Sequence, residues 1–225
     1  METPSLSRPT SIILDSRLVA ILRLSDLQDA LPLVESLLSG GVRALEFTLT
    51  NPDSPRVVSE CLKHFDELTT GNATIGLGSV RNVEEAKRAV DCGAQFVVSP
   101  ITDLRVMEYC HRFHIPTCPG AYTPTEIALA HEAGAGIVKV FPARNLGPEY
   151  IRDVLAPMPY LRLMPTGGID LQNVMRYFRS GAVAVGVGGQ FLNPTWIQEK
   201  NWASIRDAAS QFAAACVPAA ASNES

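Results

Sequence analysis

Of the four lysines, Lys63, Lys87, Lys139 and Lys200, only Lys139 stands in an apolar strand pattern, Gly136-Ile-Val-Lys-Val-Phe-Pro142. Strand alternation puts Ile137, Lys139 and Phe141 on one face and Val138 and Val140 on the other. An ammonium held among apolar side chains is costly, so it must find a partner or give up its proton. The deprotonated amine is a nucleophile toward carbonyl carbon. A second polar intrusion lies in Ala44-Leu-Glu-Phe-Thr-Leu-Thr50, where Glu46, Thr48 and Thr50 share one face and Leu45, Phe47 and Leu49 the other. A carboxylate enclosed with a lysine can move protons; a structural Glu46–Lys139 ion pair is the alternative. Arg23 ends an apolar run on the same face as Val19 and Ile21, where its fork of donors suits a carboxylate or phosphate, or a rim salt bridge.

Smaller signals accompany these. Ser79, Ser99-Pro100 and Thr166 end apolar runs, where hydroxyls orient an oxygenated substrate or simply satisfy backbone groups. Two glycine clusters, Thr166-Gly167-Gly168 and Gly186-Val-Gly-Gly189, offer backbone amides to an anion. The histidines His64, His111, His114 and His131 fall in helical or helix-end segments, and none pairs with a carboxylate at ligand spacing. No metal and no cofactor are expected, and no Ser-His-Asp triad is recognisable.

These residues need a frame that points strand faces inward. Short apolar runs at Leu18–Arg23, Ala44–Leu49, Thr74–Ser79, Phe96–Pro100, Pro116–Ala121, Gly136–Pro142, Arg162–Gly167 and Ala182–Gly188 alternate with amphipathic stretches such as Leu27–Leu38, Val83–Val90 and Thr125–Ala133. The stretch Trp196–Ala215 closes the chain. Eight β-then-α units at short spacing predict an α/β fold, a single-domain (β/α)8 TIM barrel over residues 1–217, with a frayed tail at 218–225. An open dinucleotide-binding sheet would carry a GxGxxG turn after its first strand, and Arg23-Leu-Ser-Asp26 is not one. Gly40-Gly41, Gly93, Gly134 and Gly181 follow helical runs as left-handed caps; Asp170 reads as the N-cap of the seventh helix and Thr123-Pro124 as another helix start. Barrel enzymes react at the C-terminal ends of their strands, where Arg23, Ser79, Pro100 and Thr166 stand, and commonly bind phosphate in the loops after strands seven and eight.

Composition narrows the partners. Hydrophobic residues make up 46% of the 225-residue chain and charged residues 19%, an ordinary globular balance. A net charge of −4 and scattered arginines argue against nucleic acid. No apolar run reaches the ~20 residues of a membrane helix, and no signal peptide is visible. The five cysteines, without CxxC spacing, read as reduced thiols of a cytoplasmic protein.

Several motifs in order carry a family resemblance: Gly40-Gly-Val-Arg-Ala-Leu-Glu-Phe-Thr-Leu49, Gly76-Leu-Gly-Ser79, Gly93-Ala-Gln-Phe-Val-Val-Ser-Pro100, Cys118-Pro-Gly120, Val138-Lys-Val-Phe-Pro-Ala143 and Pro165-Thr-Gly-Gly-Ile169. From about Leu18 to about Pro194 the chain resembles the aldolases acting on 2-keto-3-deoxy-6-phosphogluconate (KDPG) and 4-hydroxy-2-ketoglutarate (KHG). The resemblance implies a metal-free class I aldolase, a cytoplasmic homotrimer that cleaves a keto acid to pyruvate and an aldehyde. It implies Lys139 as the Schiff-base lysine, Glu46 as the proton-transfer carboxylate and Phe141 as the ring beside the lysine. Thr166 and Pro100 correspond to pyruvate-pocket positions, and Gly167, Gly168 and Gly188, with Gly189 beside it, to the phosphate loops. The chain departs from the gluconate-type pattern at Thr50, where an arginine that helps hold the carboxylate is usual, at Ser79, where threonine is usual, and at Gln190, where serine is common. Arg23 and Gly147-Pro-Glu-Tyr-Ile151 are similar to the galactonate-type branch, and Arg23 can take the carboxylate. Two other readings stay open: a phosphosugar isomerase or decarboxylase that uses Lys139 only electrostatically, and a non-catalytic barrel that binds a keto acid.

Overall fold

Every strand pairs in parallel with its neighbours, as helical crossovers between strands require. The computed structural model describes residues 6–217, and the predicted tail at 218–225 lies outside them. The strands are β1 Leu18–Leu22, β2 Ala44–Thr48, β3 Thr74–Gly78, β4 Val97–Val98, β5 Thr117–Cys118, β6 Gly120–Ala121, β7 Val138–Val140, β8 Leu163–Pro165 and β9 Val185–Val187. The helices are α1 Arg8–Ser16, α2 Ala30–Ser39, α3 Ser54–His64, α4 Asp66–Thr69, α5 Val83–Asp91, α6 Leu104–Arg112, α7 Pro124–Glu132, α8 Gly147–Leu155, α9 Val174–Arg179, α10 Pro194–Gln198 and α11 Trp202–Cys216. Pairing runs β5-β4-β3-β2-β1-β9 and β6-β7-β8.

These two runs make one closed (β/α)8 barrel. A bridge between Thr166 and Gly186 joins the end of β8 to β9. The other break, between β5 and β6, is Pro119 alone. Proline has no N–H to give to a ladder, so the predicted strand Pro116–Ala121 is cut in two, yet the Pro119 carbonyl still accepts from Lys139 N at 2.9 Å.

The predicted alternation holds through the ring. Val19, Ala44, Phe96, Val98, Ile137, Met164 and Ala184 pack together inside, while Leu45, Phe47, Val138 and Val140 join the larger core between strands and helices. The inner cluster also contains Ile13, from a helix the sequence reading did not anticipate. Helix α1 carries Pro9 in its first turn, ends at Arg17 in a left-handed conformation (φ 57°), and is tied to the β3 side by Arg8, whose Nη2 donates to Gly71 O at 2.6 Å. The Arg17 guanidinium lies 3.8 Å from the Phe178 ring centroid. Ile13 has no exposed surface and stoppers the N-terminal end of the barrel.

One expectation is refined and one corrected. The closing stretch Trp196–Ala215 is two helices: the chain turns at Lys200 (φ 51°), and the Asn201 side chain starts α11 by accepting from Ser204 N at 3.1 Å. Asp170 does not cap the seventh helix. Its Oδ1 accepts from the N–H groups of Gln172 and Asn173 in a turn, and α9 begins only at Val174. By contrast, Thr123 and Glu126 form the complete reciprocal capping box at the start of α7, with Pro124 in the first turn.

Candidate active site

The interior changes character one step up the strands. Glu46 on β2 lies in register with Ile21 on β1 and Gly76 on β3, and Lys139 on β7 with Gly120 and Met164. Glu46 is 1% exposed and Lys139 6% exposed. Room for the Glu46 carboxyl comes from Gly78, where any β-carbon would overlap its Oε1. Gly76, two residues earlier on the same face, makes similar room for the Phe96 ring. Glycines at alternate, inward positions of β3 are therefore the negative image of the larger side chains beside them.

Electrostatics follow from this burial. Glu46 Oε2 is fully enclosed and has no hydrogen-bond partner. Burial pushes the Glu46 pKa above the usual carboxylate range; the positive charges of Lys139 and Arg23 pull it the other way, and burial wins. The ion pair that the strand pattern left open does not form. Among the described residues, ion pairs with N···O within 4.0 Å include neither Glu46, Lys139 nor Arg23. Lys139 Nζ instead lies 4.8 Å from the centroid of the Phe141 ring, a cation–π distance. Cys118 shares the enclosure; burial, chiefly, and the nearby Glu46 charge push its thiol up to about 12, so it stays protonated and inert.

A cleft of about 720 Å³ opens at the C-terminal ends of the strands, lined by Ile21, Arg23, Phe141, Thr166 and the glycine loops; Glu46 and Lys139 are not among its lining residues. Gly167, Gly168, Gly188 and Gly189 all reach it, so both predicted glycine clusters face one space. Gly167 and Gly168 are both left-handed (φ 98° and 80°), a path that residues with side chains rarely take. Asn173 anchors this loop by donating from Nδ2 to Gly168 O at 2.8 Å. Gly186 lets the Thr166 side chain sit across the closure, since a β-carbon there would overlap Thr166 Oγ1.

Three predicted residues lie elsewhere around the mouth. Thr50 is past the end of β2 and lines a neighbouring depression of about 570 Å³ with Asn51, Asp53 and Arg56; its Oγ1 pairs with Thr48 Oγ1 at 2.8 Å. Ser79 ends β3 in a left-handed conformation (φ 62°), and Pro100 follows β4 with its backbone pressed against Gly120. Neither lines the cleft. Among the described residues, no three His, Cys, Asp or Glu side chains gather where they could hold a metal ion.

Residues 10–208 match the family model of the KDPG and KHG aldolases. A 2-dehydro-3-deoxy-phosphogluconate aldolase of Treponema pallidum is 35% identical over 179 residues, which cover 79% of this chain and 82% of the relative. The chain belongs to the KDPG and KHG aldolase family. It is an aldolase, a lyase of carbon–carbon bonds. A probable 2-dehydro-3-deoxy-6-phosphogalactonate aldolase of Rhizobium meliloti is 32% identical, covering 79% of this chain and 82% of that one. Among solved structures, a KDPG aldolase of Legionella pneumophila with pyruvate captured at low pH as a covalent carbinolamine intermediate superimposes with a TM-score of 0.81 at 26% identity, over 91% of this chain and 97% of that one. No helix of this aldolase, among the described residues, is long and apolar enough to cross a membrane.

Within the aldolase site, three contributors escaped the sequence reading: Gly78, Asn173 and Arg144. Gly78 had a legible signal, an alternating glycine on the strand after a buried acid. Arg144 had none, because its place in a single 3-10 turn at Ala143–Asn145 depends on the path of the loop after β7.

Proposed function

We propose that this aldolase works through an imine on Lys139, cleaving a phosphorylated 2-keto-3-deoxy sugar acid, or 4-hydroxy-2-ketoglutarate, into pyruvate and an aldehyde. The observation that carries the reading is the buried, unpaired Lys139 amine beside the Phe141 ring, with a buried acid of raised pKa in the same enclosure. The free amine of Lys139 adds to the C2 carbonyl carbon, giving a carbinolamine; the protonated Glu46 carboxyl gives its proton to the carbinolamine hydroxyl, which leaves as water, so that a protonated imine and the Glu46 carboxylate remain. The Glu46 carboxylate takes the C4 hydroxyl proton. The electrons of the C3–C4 bond move toward the iminium nitrogen, releasing the aldehyde and leaving an enamine. Glu46 then returns its proton to C3, and water hydrolyses the imine to free pyruvate and the lysine. A carboxyl whose pKa is raised by burial suits both halves of this exchange.

Arg23, at the mouth beside Glu46, holds the substrate carboxylate, with Thr166 orienting the keto acid; Ser79, Pro100 and Thr50 shape the rim around it. The glycine loops take the phosphate on backbone N–H groups. The reading includes a homotrimer in the cytoplasm. Five buried free thiols and the exposed apolar side chains Ile101, Leu104, Tyr122 and Leu129 on two consecutive βα units support that assembly and compartment.

Borohydride added with pyruvate is expected to fix one pyruvate-derived adduct on Lys139, read by peptide mass. Lys139→Ala is expected to lose the adduct and at least about a thousandfold in kcat. Turnover in wild type with no borohydride-sensitive intermediate would replace this reading with electrostatic use of the lysine.

A further inference from the structure

The cleft carries a second cation besides Arg23. Arg144 lines it beside Gly167 and Gly168. A β-carbon on Gly168 would come within 3.1 Å of Arg144 Cβ and Cγ, so the arginine stem lies directly on the left-handed loop. Arg23, whose charge acts on Glu46, lines the same cleft. Neither arginine has an acidic partner among the described residues, although Asp170 lines the same cleft. Asp170 is engaged elsewhere, its Oδ1 accepting from Gln172 N and Asn173 N at 2.9 and 3.0 Å.

The two glycine loops and Arg144 all supply donors to this cleft. The N–H groups of Gly168, Ile169, Gly189 and Gln190 donate to no acceptor among the described residues, and the guanidinium adds its fork. A distal carboxylate offers two oxygens and one charge. A phosphate offers three terminal oxygens and about −1.5 to −2 charge, which matches an arginine together with several amides.

Resting on the imine reading above, we propose that Arg144 is the residue by which this aldolase selects substrates ending in a phosphate over those ending in a hydroxyl or a carboxylate. The imine end treats these substrates alike, since all present the same 2-keto acid. Discrimination is then set where Arg144 packs on Gly168, by charge-assisted hydrogen bonds that only a phosphate satisfies in full.

The test compares wild type with Arg144→Gln and Arg144→Lys, measuring kcat/KM on a phosphorylated 2-keto-3-deoxy sugar acid, on its unphosphorylated counterpart and on 4-hydroxy-2-ketoglutarate. Charge-assisted contacts of this kind predict a loss of about 10- to 100-fold on the phosphorylated substrate for R144Q, and a several-fold smaller loss on the other two. R144K keeps the charge without the fork and is expected to recover part of the difference. Equal losses on all three substrates, or none on the phosphorylated one, would overturn the proposal. Borohydride trapping of pyruvate on each variant separates the two readings: if wild type forms no adduct, the imine reading fails by itself. Inorganic phosphate then still decides Arg144, because its dissociation constant, measured by calorimetry, must weaken about tenfold in R144Q.

Discussion

At the N-terminal end of the barrel, Ile13, Val19, Ala44, Phe96, Ile137 and Ala184 fill the interior with apolar side chains, and the end is shut. One step further along the same strands, Glu46, Lys139 and Thr166 stand among Ile21, Met164 and a set of glycines, and the end is open. The backbone geometry is the same in both layers. In the lower one each side chain gains by leaving water; in the upper one Glu46 Oε2 is buried with no partner, a conformation the rest of the fold has to hold against its cost. The apolar packing and the proposed site are therefore separated along the barrel axis by roughly one strand repeat.

That separation can be broken from either side. The largest effect is expected from Glu46→Gln, which keeps the shape of the side chain and removes its proton chemistry. Turnover should fall about 10²- to 10⁴-fold in a pyruvate-release assay. Stability should move the other way. Because the folded-state pKa of Glu46 lies above its unfolded value, its contribution to stability is complete below the ordinary carboxylate range and is lost as pH rises through the raised folded pKa. Gln does not titrate, so the melting temperature of E46Q should gain on wild type as pH climbs from about 4 toward and through that raised value. A difference that stays flat across this range would mean that the carboxyl is not held protonated by burial.

Ile13→Ala attacks the other layer. Removing a fully buried stopper should cost about 2–5 kcal/mol in denaturant unfolding while leaving kcat near wild type at low temperature. A selective loss of turnover without a loss of stability would show that the two layers are coupled after all. Gly78→Ala has the smallest expected effect. It places a methyl where the Glu46 carboxyl lies, at a cost of about 1–3 kcal/mol, and should be milder when Glu46 is already alanine. Equal costs of G78A in both backgrounds would remove the steric account of the glycine.

The upper layer was legible in the sequence for a simple reason: a polar residue at every second position of an apolar strand can only face inward. Lys139 and Glu46 were readable on that ground, as were the two glycine clusters. Alternation fails where strands end. Thr50 continues the arithmetic of Glu46 and Thr48, but β2 stops at Thr48 and the chain turns, with Asn51 N donating to Thr48 O, so Thr50 leaves that face. Asp170 had the type and position of a cap, yet the loop after β8 spends three more residues turning before α9 can start. Helix α1 escapes the strand-then-helix pattern because it precedes the first strand, and its role depends on a tube that later residues build. The break at Lys200 and the placement of Arg144 likewise depend on tertiary path rather than local pattern.

Helix α1 also bears on the order in which the molecule assembles. It packs against β1, β2 and β3, the first three strands of the chain, so the stopper leaves the ribosome ahead of the tube it will close. Ile13 can settle on Val19 and Ala44 early, but its wall is finished only when Ile137 and finally Ala184 arrive. Ile13 is therefore only partly walled in until the last strands of the barrel arrive.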